Sequence, residues 1–298
     1  MPADSTWLST FPGMQSIMSH GKNFLGNILR TGPVPRHIAF VMDGNRRYAT
    51  QRKLEVGEGH NAGFESLSHI LELCYEVGVE CVTVYAFSIE NFKRPPGEVK
   101  SLMNIAKNRL TQSCNQGDLA EQYGIKICVL GDLSLLPDDV RQVANKTIET
   151  TKNNKRAVLN ICFPYTSRDD ITRSIRRIVS LAAKHKIDDI STDINESLIE
   201  ANMYTKDSPP LDILIRTSNV TRLSDFMLWQ CHKDTSIYFV DCLWPNFGVH
   251  RMFWILLKWG LNNINKNRYG PATNISSVKQ FLPPSYDLTN EDKEKADN

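Results

Sequence analysis

No two of the seven cysteines in this 298-residue chain form a CxxC pair; they stand singly at 74, 81, 114, 128, 162, 231 and 242. Several lie inside apolar segments, such as 127–129 and 161–163, so free buried thiols in a reducing compartment describe them better than disulfides or a zinc cluster. No stretch approaches the ~20 apolar residues that span a bilayer. The best candidate, 252–257, is interrupted by Lys258 and then by Asn262 and Asn263. No cleavable signal sequence is evident either. The expectation is a soluble protein, or one that rests on a membrane without crossing it. Charge of one sign is also missing: 35 Lys and Arg against 33 Asp and Glu leave a net +2. Any anion site must therefore come from local placement of cations, and a nucleic-acid binder is not expected, because bases interleave with acids and no known module appears. Neither GxxxxGK[ST] nor GxGxxG follows the first strand-like segment, which argues against an ordinary NTPase or dinucleotide enzyme.

What is present is an alternation. Residues 37–42, 81–87, 125–130, 157–163, 211–215 and 237–240 are continuous, β-branched or aromatic runs of strand length. Between them, 63–75, 98–110, 140–151 and 171–183 carry helical spacing. Strands alternating with helices predict right-handed βαβ units, hence an α/β domain with a six-stranded, mostly parallel sheet flanked by helices. Three regions follow: an amphipathic helical segment at 1–34, a catalytic domain at 35–270 and a polar tail at 271–298 that is expected to be disordered. Residues 7–29 place Trp7, Phe11, Ile17, Phe24 and Ile28 roughly on one face. A helix docked on the domain is preferred there over a membrane-surface helix, because only Lys22 and Arg30 are cationic.

Ligands of open parallel sheets bind beyond the carboxyl ends of the strands, and here those ends are polar. The first runs into Asp43, Gly44, Asn45, Arg46 and Arg47. The second runs into Ser88, Glu90, Asn91, Lys93 and Arg94. The third reaches Gly131 and Asp132, and the fifth reaches Arg216, with Arg222 and Ser224 close behind. A carboxylate at a strand end, followed by Gly-Asn and a helix start, can hold Mg2+ while backbone N–H groups face an anion. The arginines offer planar donors suited to phosphate oxygens. One cluster after strands one and two, and another after strand five, suit two separate phosphorylated ligands. Each residue also has a plainer explanation: Asp43 as a helix N-cap, Arg222 with Asp225 as a surface pair, His60 as a packing or capping residue, Glu90 as partner to Lys93 or Arg94. Those explanations leave the shared location unaccounted for.

With these motifs in view, the chain resembles the cis-prenyltransferase family, the undecaprenyl and dehydrodolichyl diphosphate synthases. The resemblance is carried by HIAFVMDGNRRYA at 37–49, EGHNAGF at 58–64, VTVYAFSIENFKRP at 82–95, LNICFPYTSRDDI at 159–171, LDILIRTSNVTRLSDFMLWQ at 211–230 and DCLWPNFG at 241–248. It covers most of residues 35–260, with the character of the fungal dehydrodolichyl diphosphate synthase catalytic subunit. It implies an undecaprenyl diphosphate synthase-like fold and condensation of farnesyl diphosphate with successive isopentenyl diphosphates, creating cis double bonds for dolichol synthesis and protein glycosylation. By motif match, Asp43 holds Mg2+ and assists departure of the allylic diphosphate, which Gly44, Asn45, Arg46, Arg47 and Arg94 cradle. Arg216, Arg222 and Ser224 bind isopentenyl diphosphate, and Ser88, Asn91 and His60 stand near the reacting centre. The growing chain needs an apolar tunnel, expected between the helices at 64–75 and 98–110.

Two departures bear on assembly. Single-subunit bacterial members carry a metal-binding glutamate just ahead of the sixth strand; the matching place here is near Ser236, with Asp234 the nearest acid. They also end in an Arg-x-Gly motif that reaches the neighbouring subunit's site, and Arg268-Tyr269-Gly270 stands a few residues late for it. The resemblance therefore implies a catalytic subunit that takes this motif from a Nogo-B-receptor-like non-catalytic partner. A self-sufficient homodimer and a non-catalytic scaffold are the alternatives, the scaffold disfavoured because Asp43 and its arginines are present. Peripheral contact with the cytosolic face of the endoplasmic reticulum, or with lipid droplets, is expected from the same resemblance.

Overall fold

The computed structural model describes residues 26–112, 119–183 and 194–269. Six strands form one sheet: β1 (His37–Val41), β2 (Cys81–Tyr85), β3 (Ile125–Leu130), β4 (Ala157–Cys162), β5 (Ile213–Arg216) and β6 (Ser236–Phe239). Every neighbouring pair is parallel, in the order β3-β4-β2-β1-β5-β6. All six expected strands form, within two residues of their expected bounds. β5 starts two residues later than expected, and Asp212, just ahead of it, holds the start of β1. Its carboxylate accepts the N–H groups of Arg36 (2.6 Å) and His37 (3.0 Å).

The chain leaves β1 to one side for β2 and reaches β5 and β6 on the other. The strand order therefore reverses between β1 and β5, the switch point at which open α/β sheets bind ligands.

Helices α1 (Asn45–Arg52), α2 (Val56–Val77), α3 (Pro96–Gln112), α4 (Leu119–Gln122), α5 (Asp138–Thr151), α6 (Ser167–Ala183), α7 (Glu196–Glu200) and α8 (Val249–Tyr269) connect and cover the sheet. α2 begins earlier than its apolar spacing suggests because Glu55 and Glu58 form a reciprocal capping box, and it stops at Gly78 in the left-handed conformation. Its buried residues Leu67, Ile70, Leu71 and Cys74 recur at three- and four-residue steps.

Alternation along β1 sends Ile38 and Phe40 into one core, with α2 and Trp244, and Ala39 and Val41 into another, with Phe226 and Met227. Phe40, Trp244 and Phe247 pack ring against ring, with centroids 5.7–6.4 Å apart. Each such buried ring stabilises by roughly 1.5–3 kcal/mol. A third core under α3 and α5 is built on Phe87, Met103, Leu110 and Phe163.

Of the N-terminal segment expected at 7–29, only 26–29 falls among the described residues; it is helical, with Leu29 buried. The chain divides into a unit ending at Leu261 and one beginning at Asn262, whose described residues, 262–269, continue α8. The tail at 271–298 lies outside the described residues. Among the described residues no helix is long and apolar enough to cross a membrane.

Candidate active site

Asp43 follows β1 at the switch point, and its backbone is held from two directions. Thr217 Oγ1 accepts its N–H (3.2 Å) and donates to its carbonyl (2.8 Å), which also accepts Trp244 N–H (3.0 Å). The next residue must be glycine: Gly44 has φ +114°, and a Cβ there would lie 2.9 Å from the Leu243 side chain. Gly44, not Asp43, is the N-cap of α1. The Asp43 carboxylate is left free to turn sideways, to Arg216 Nη2 at 3.0 Å and to Arg47 Nη2 at 3.6 Å.

Arg216 ends β5 and is almost fully buried. Its Nη1 donates to Ser224 Oγ (2.6 Å) and to the Arg222 carbonyl (2.5 Å). Burial lowers the guanidinium pKa, an effect partly offset by Asp43 beside it. The turn that presents Ser224 is costly: Ser224, Asp225 and Met227 have φ of 52°, 61° and 47° without being glycine. Such residues cost roughly 1–3 kcal/mol each and persist only where the surroundings fix them.

The β2 end is ordered by its own polar residues. Ser88 Oγ accepts Glu90 N–H (3.2 Å) and Asn91 Oδ1 accepts Ser88 N–H (3.1 Å), a reciprocal cap for the short 3-10 helix Ile89–Lys93. Arg94 reaches Glu98 at 2.9 Å, and Arg46 reaches the same carboxylate at 3.6 Å. Glu98 is thus a site residue that the strand-end reading missed; its position four after Arg94 was the available signal. His60, one turn into α2, faces this cluster. Burial first, then Arg94 and Arg46, lowers its pKa, so the ring is neutral at pH 7.

Most of these residues rim one cavity of about 700 Å3, but Gly44, Arg47 and Glu98 are not in its wall. Asp43, Asn45, Arg46, His60, Arg94 and Arg216 stand at its polar end. Phe64, Leu67 and Leu71 of α2 and Leu102, Ile105 and Leu110 of α3 line the bore, with β3 and β4 behind them. The apolar channel expected between the two helices is therefore present. A polar, arginine-rich mouth over an apolar bore suits an amphiphile with an anionic head.

Buried polar atoms are nearly always paired, yet Asn45 Oδ1, His60 Nε2, Arg216 Nε and Ser218 Oγ have no partner here. Asn45, His60 and Arg216 line the cavity, so three of the seven such atoms among the described residues stand where a ligand would complete them, while Ser218 lies outside its wall.

β1 lies directly between β2 and β5, so the two cationic clusters adjoin as halves of one site, joined by the Asp43–Arg216 pair. Local readings of the acids need correction. Asp132 is not in the cavity wall: its carboxylate caps the short helix Leu133–Leu135, accepting Ser134 N–H at 3.1 Å. Asp225 pairs with Arg168 (2.7 Å) rather than Arg222, and Glu90 pairs with Lys93 and Arg168 rather than Arg94.

The residues fit a magnesium ion in one specific way. Mg2+ is commonly held by one or two carboxylates together with substrate phosphates and water. Asp43 would supply one carboxylate, and the arginines around it, Arg47 and Arg216, carry donors of the kind that suits phosphates. Ser236, with Asp234 just ahead of it, stands at the amino end of β6, paired with Ile213 at the far edge of the sheet from Asp43. Within one chain neither adds a second ligand.

The match to known proteins agrees with this geometry. Residues 41–270 match the prenyltransferase family described as "Putative undecaprenyl diphosphate synthase", and the chain belongs to that family. It is 51% identical to a dehydrodolichyl diphosphate synthase complex subunit of Schizosaccharomyces pombe over 87% of this chain and 97% of that one. To the human dehydrodolichyl diphosphate synthase complex subunit it is 42% identical, over 83% of this chain and 73% of the human one. The crystal structure of lavandulyl diphosphate synthase from Lavandula x intermedia, in complex with dimethylallyl diphosphate, superposes with a TM-score of 0.70 at 29% identity, covering 76% of this chain and 95% of that one.

Proposed function

We infer that this chain is a cis-prenyltransferase of the dehydrodolichyl diphosphate synthase type, the catalytic subunit of a heteromer. It condenses farnesyl diphosphate with successive isopentenyl diphosphates. The observation that carries the reading is the Asp43–Arg216 ion pair at the mouth of an apolar cavity, where a prenyl chain fits the bore and its diphosphate meets the arginines.

In this reading Gly44, Asn45, Arg46, Arg47 and Arg94 bind the allylic diphosphate, and Arg216, Arg222 and Ser224 bind the isopentenyl diphosphate. Asp43 stands between the two. Mg2+ held by Asp43 would add positive charge at the departing diphosphate. The arginines stabilise the charge that grows there as the C–O bond breaks. The positive charge left on the allylic carbon is attacked by the isopentenyl double bond, and a proton then leaves C2. Neutral His60, with Ser88 and Asn91, orients groups near that centre, and a substrate diphosphate oxygen takes the proton.

A non-catalytic partner of the Nogo-B-receptor kind is part of the proposal. The edge strand β6 leaves Ile237 and Phe239 exposed on one side, a face suited to cover by another chain. Arg268 and Tyr269 fall in the backbone of the last turn of α8, and Gly270 lies outside the described residues. Placement at the cytosolic face of the endoplasmic reticulum, or on lipid droplets, follows from a lipid product. Isopentenyl incorporation by this chain, alone and co-expressed with such a partner, tests the proposal: activity is expected only in the pair. Full activity alone, lost on Gly270→Ala, would establish the homodimer instead, and no incorporation with any partner would refute the catalytic assignment.

A further inference from the structure

The two diphosphate half-sites stand on different turns, and a third segment lies between them. Tyr165, just past β4, accepts Ile89 N–H through its carbonyl at 3.3 Å, which fixes it to the β2 turn. Two residues on, Ser167 N–H donates to the Asp225 carbonyl (2.7 Å), and Ser167 Oγ accepts Leu228 N–H (3.0 Å). The start of α6 thus touches the allylic turn on one side and the Ser224 turn on the other. Arg168 closes the span with its side chain. Its N–H and Nε both donate to the Asp225 carboxylate, at 3.0 and 2.7 Å, and its Nη2 reaches Glu90 at 3.4 Å.

We propose that Arg168 is a positioning residue that keeps the isopentenyl half of the site in register with the allylic half. The claim rests on the diphosphate assignment made above, and no role for Arg168 is needed by that assignment itself. The chain of contacts is short. Asp225 precedes the buried Phe226 and follows Ser224, and all three of Ser224, Asp225 and Met227 hold left-handed backbone that non-glycine residues adopt only under constraint. Ser224 Oγ is an acceptor for Arg216, which also holds Asp43. A turn that relaxes at Asp225 therefore moves an acceptor of the arginine that spans both half-sites.

The plainer account is an exposed ion pair of little consequence, since the Arg168 side chain is 71% exposed. Two features oppose it. Asp225 is only 15% exposed, so its carboxylate leans on the few donors it has, and Arg168 supplies two of them. A planar guanidinium is also the side chain that can hold two carboxylates on different turns at once, whereas a lysine reaches one as a point charge.

Steady-state kinetics of Arg168→Gln, Arg168→Lys and Glu90→Gln in the assembled enzyme test the proposal, alongside thermal unfolding of each. Arg168→Gln is expected to raise KM for isopentenyl diphosphate about tenfold, ~1.4 kcal/mol, with KM for the allylic substrate changed less than twofold and the melting temperature nearly unchanged. Arg168→Lys should recover part of the loss, and adding Glu90→Gln to Arg168→Gln should cost nothing more. Wild-type constants in Arg168→Gln would overturn the proposal while leaving the catalytic assignment intact. Equal losses for both substrates together with a lowered melting temperature would also overturn it, as the mark of a merely structural role. An inactive wild-type enzyme would instead refute the underlying function.

Discussion

Asp43→Asn tests the catalytic role proposed for the central ion pair apart from its structural one. The amide keeps the size of the side chain but removes the carboxylate that Arg216 contacts at 3.0 Å. Arg216, whose side chain is 3% exposed, would keep Ser224 Oγ and the Arg222 carbonyl as acceptors but lose its charge partner. Removing one member of a fully buried pair costs roughly 3–5 kcal/mol. Asp43 is 34% exposed, so water screens part of that, and about 2 kcal/mol is the expected loss. For a chain of this size the melting temperature should fall by roughly 4–8 °C. If the arginines bind diphosphate as proposed, inorganic diphosphate should raise the melting temperature, because a ligand of the native state alone stabilises it. Isopentenyl incorporation should fall by roughly 100-fold or more, as when a group that stabilises transition-state charge is removed. Circular-dichroism melts with and without diphosphate, beside a radiolabel incorporation assay, read all three effects. A variant that melts like the wild type and keeps half its turnover would refute both the ion-pair energetics and the role of Asp43.

Three other perturbations have defined outcomes. In Gly63→Ala the new Cβ would stand 2.4 Å from Asn45 Oδ1 and 3.0 Å from the Trp244 ring, so Asn45 must move; incorporation should drop about tenfold, with a melting point lowered by only a few degrees. Gly131→Ala meets the Pro164 carbonyl oxygen at 1.8 Å at a φ of +139°, and should cost roughly 3 kcal/mol or more, read as a large fall in melting temperature or in soluble yield. His37 is buried between the Pro209 carbonyl at Nδ1 and Thr83 Oγ1 at Nε2, and burial pushes its pKa down to about 4. The unfolded chain takes up that proton first, near pH ~6.5, so this contribution is complete above ~6.5 and is lost as pH falls to about 4, in total about 3 kcal/mol. Denaturant midpoints measured across that window should decline in the wild type and decline less in His37→Asn.

Much of the site was legible because parallel sheets put their chemistry at one edge. Once 37–42, 81–87 and 211–215 read as strands, Asp43, Arg94 and Arg216 had to fall on the same side of the sheet. The motif match then named a family, and the matched family and the fold agree with that reading. Local sequence was less informative about partners. Asp225 beside Arg222 in the chain looked like a local pair, but the left-handed turn points it at Arg168, 57 residues away. Asp132 looked like a further strand-end acid, yet its short side chain satisfies the backbone just after it, as aspartate at a turn commonly does. Glu98 carried a legible signal, its spacing from Arg94, that the strand-end argument had no reason to use.

Sequence by itself determined the elements and the edge of the sheet at which they deliver polar residues, because periodicity and chain direction are local properties. Tertiary structure decided the strand order, which put β1 between β2 and β5 and so brought Asp43 within reach of Arg216. It also decided which ion pairs form. Hydrogen bonds and ion pairs extend only a few ångströms, while their partners here stand 57 and 173 residues apart in the chain. Such distances are closed by the packing of the whole sheet and its helices, not by anything near either residue in the sequence.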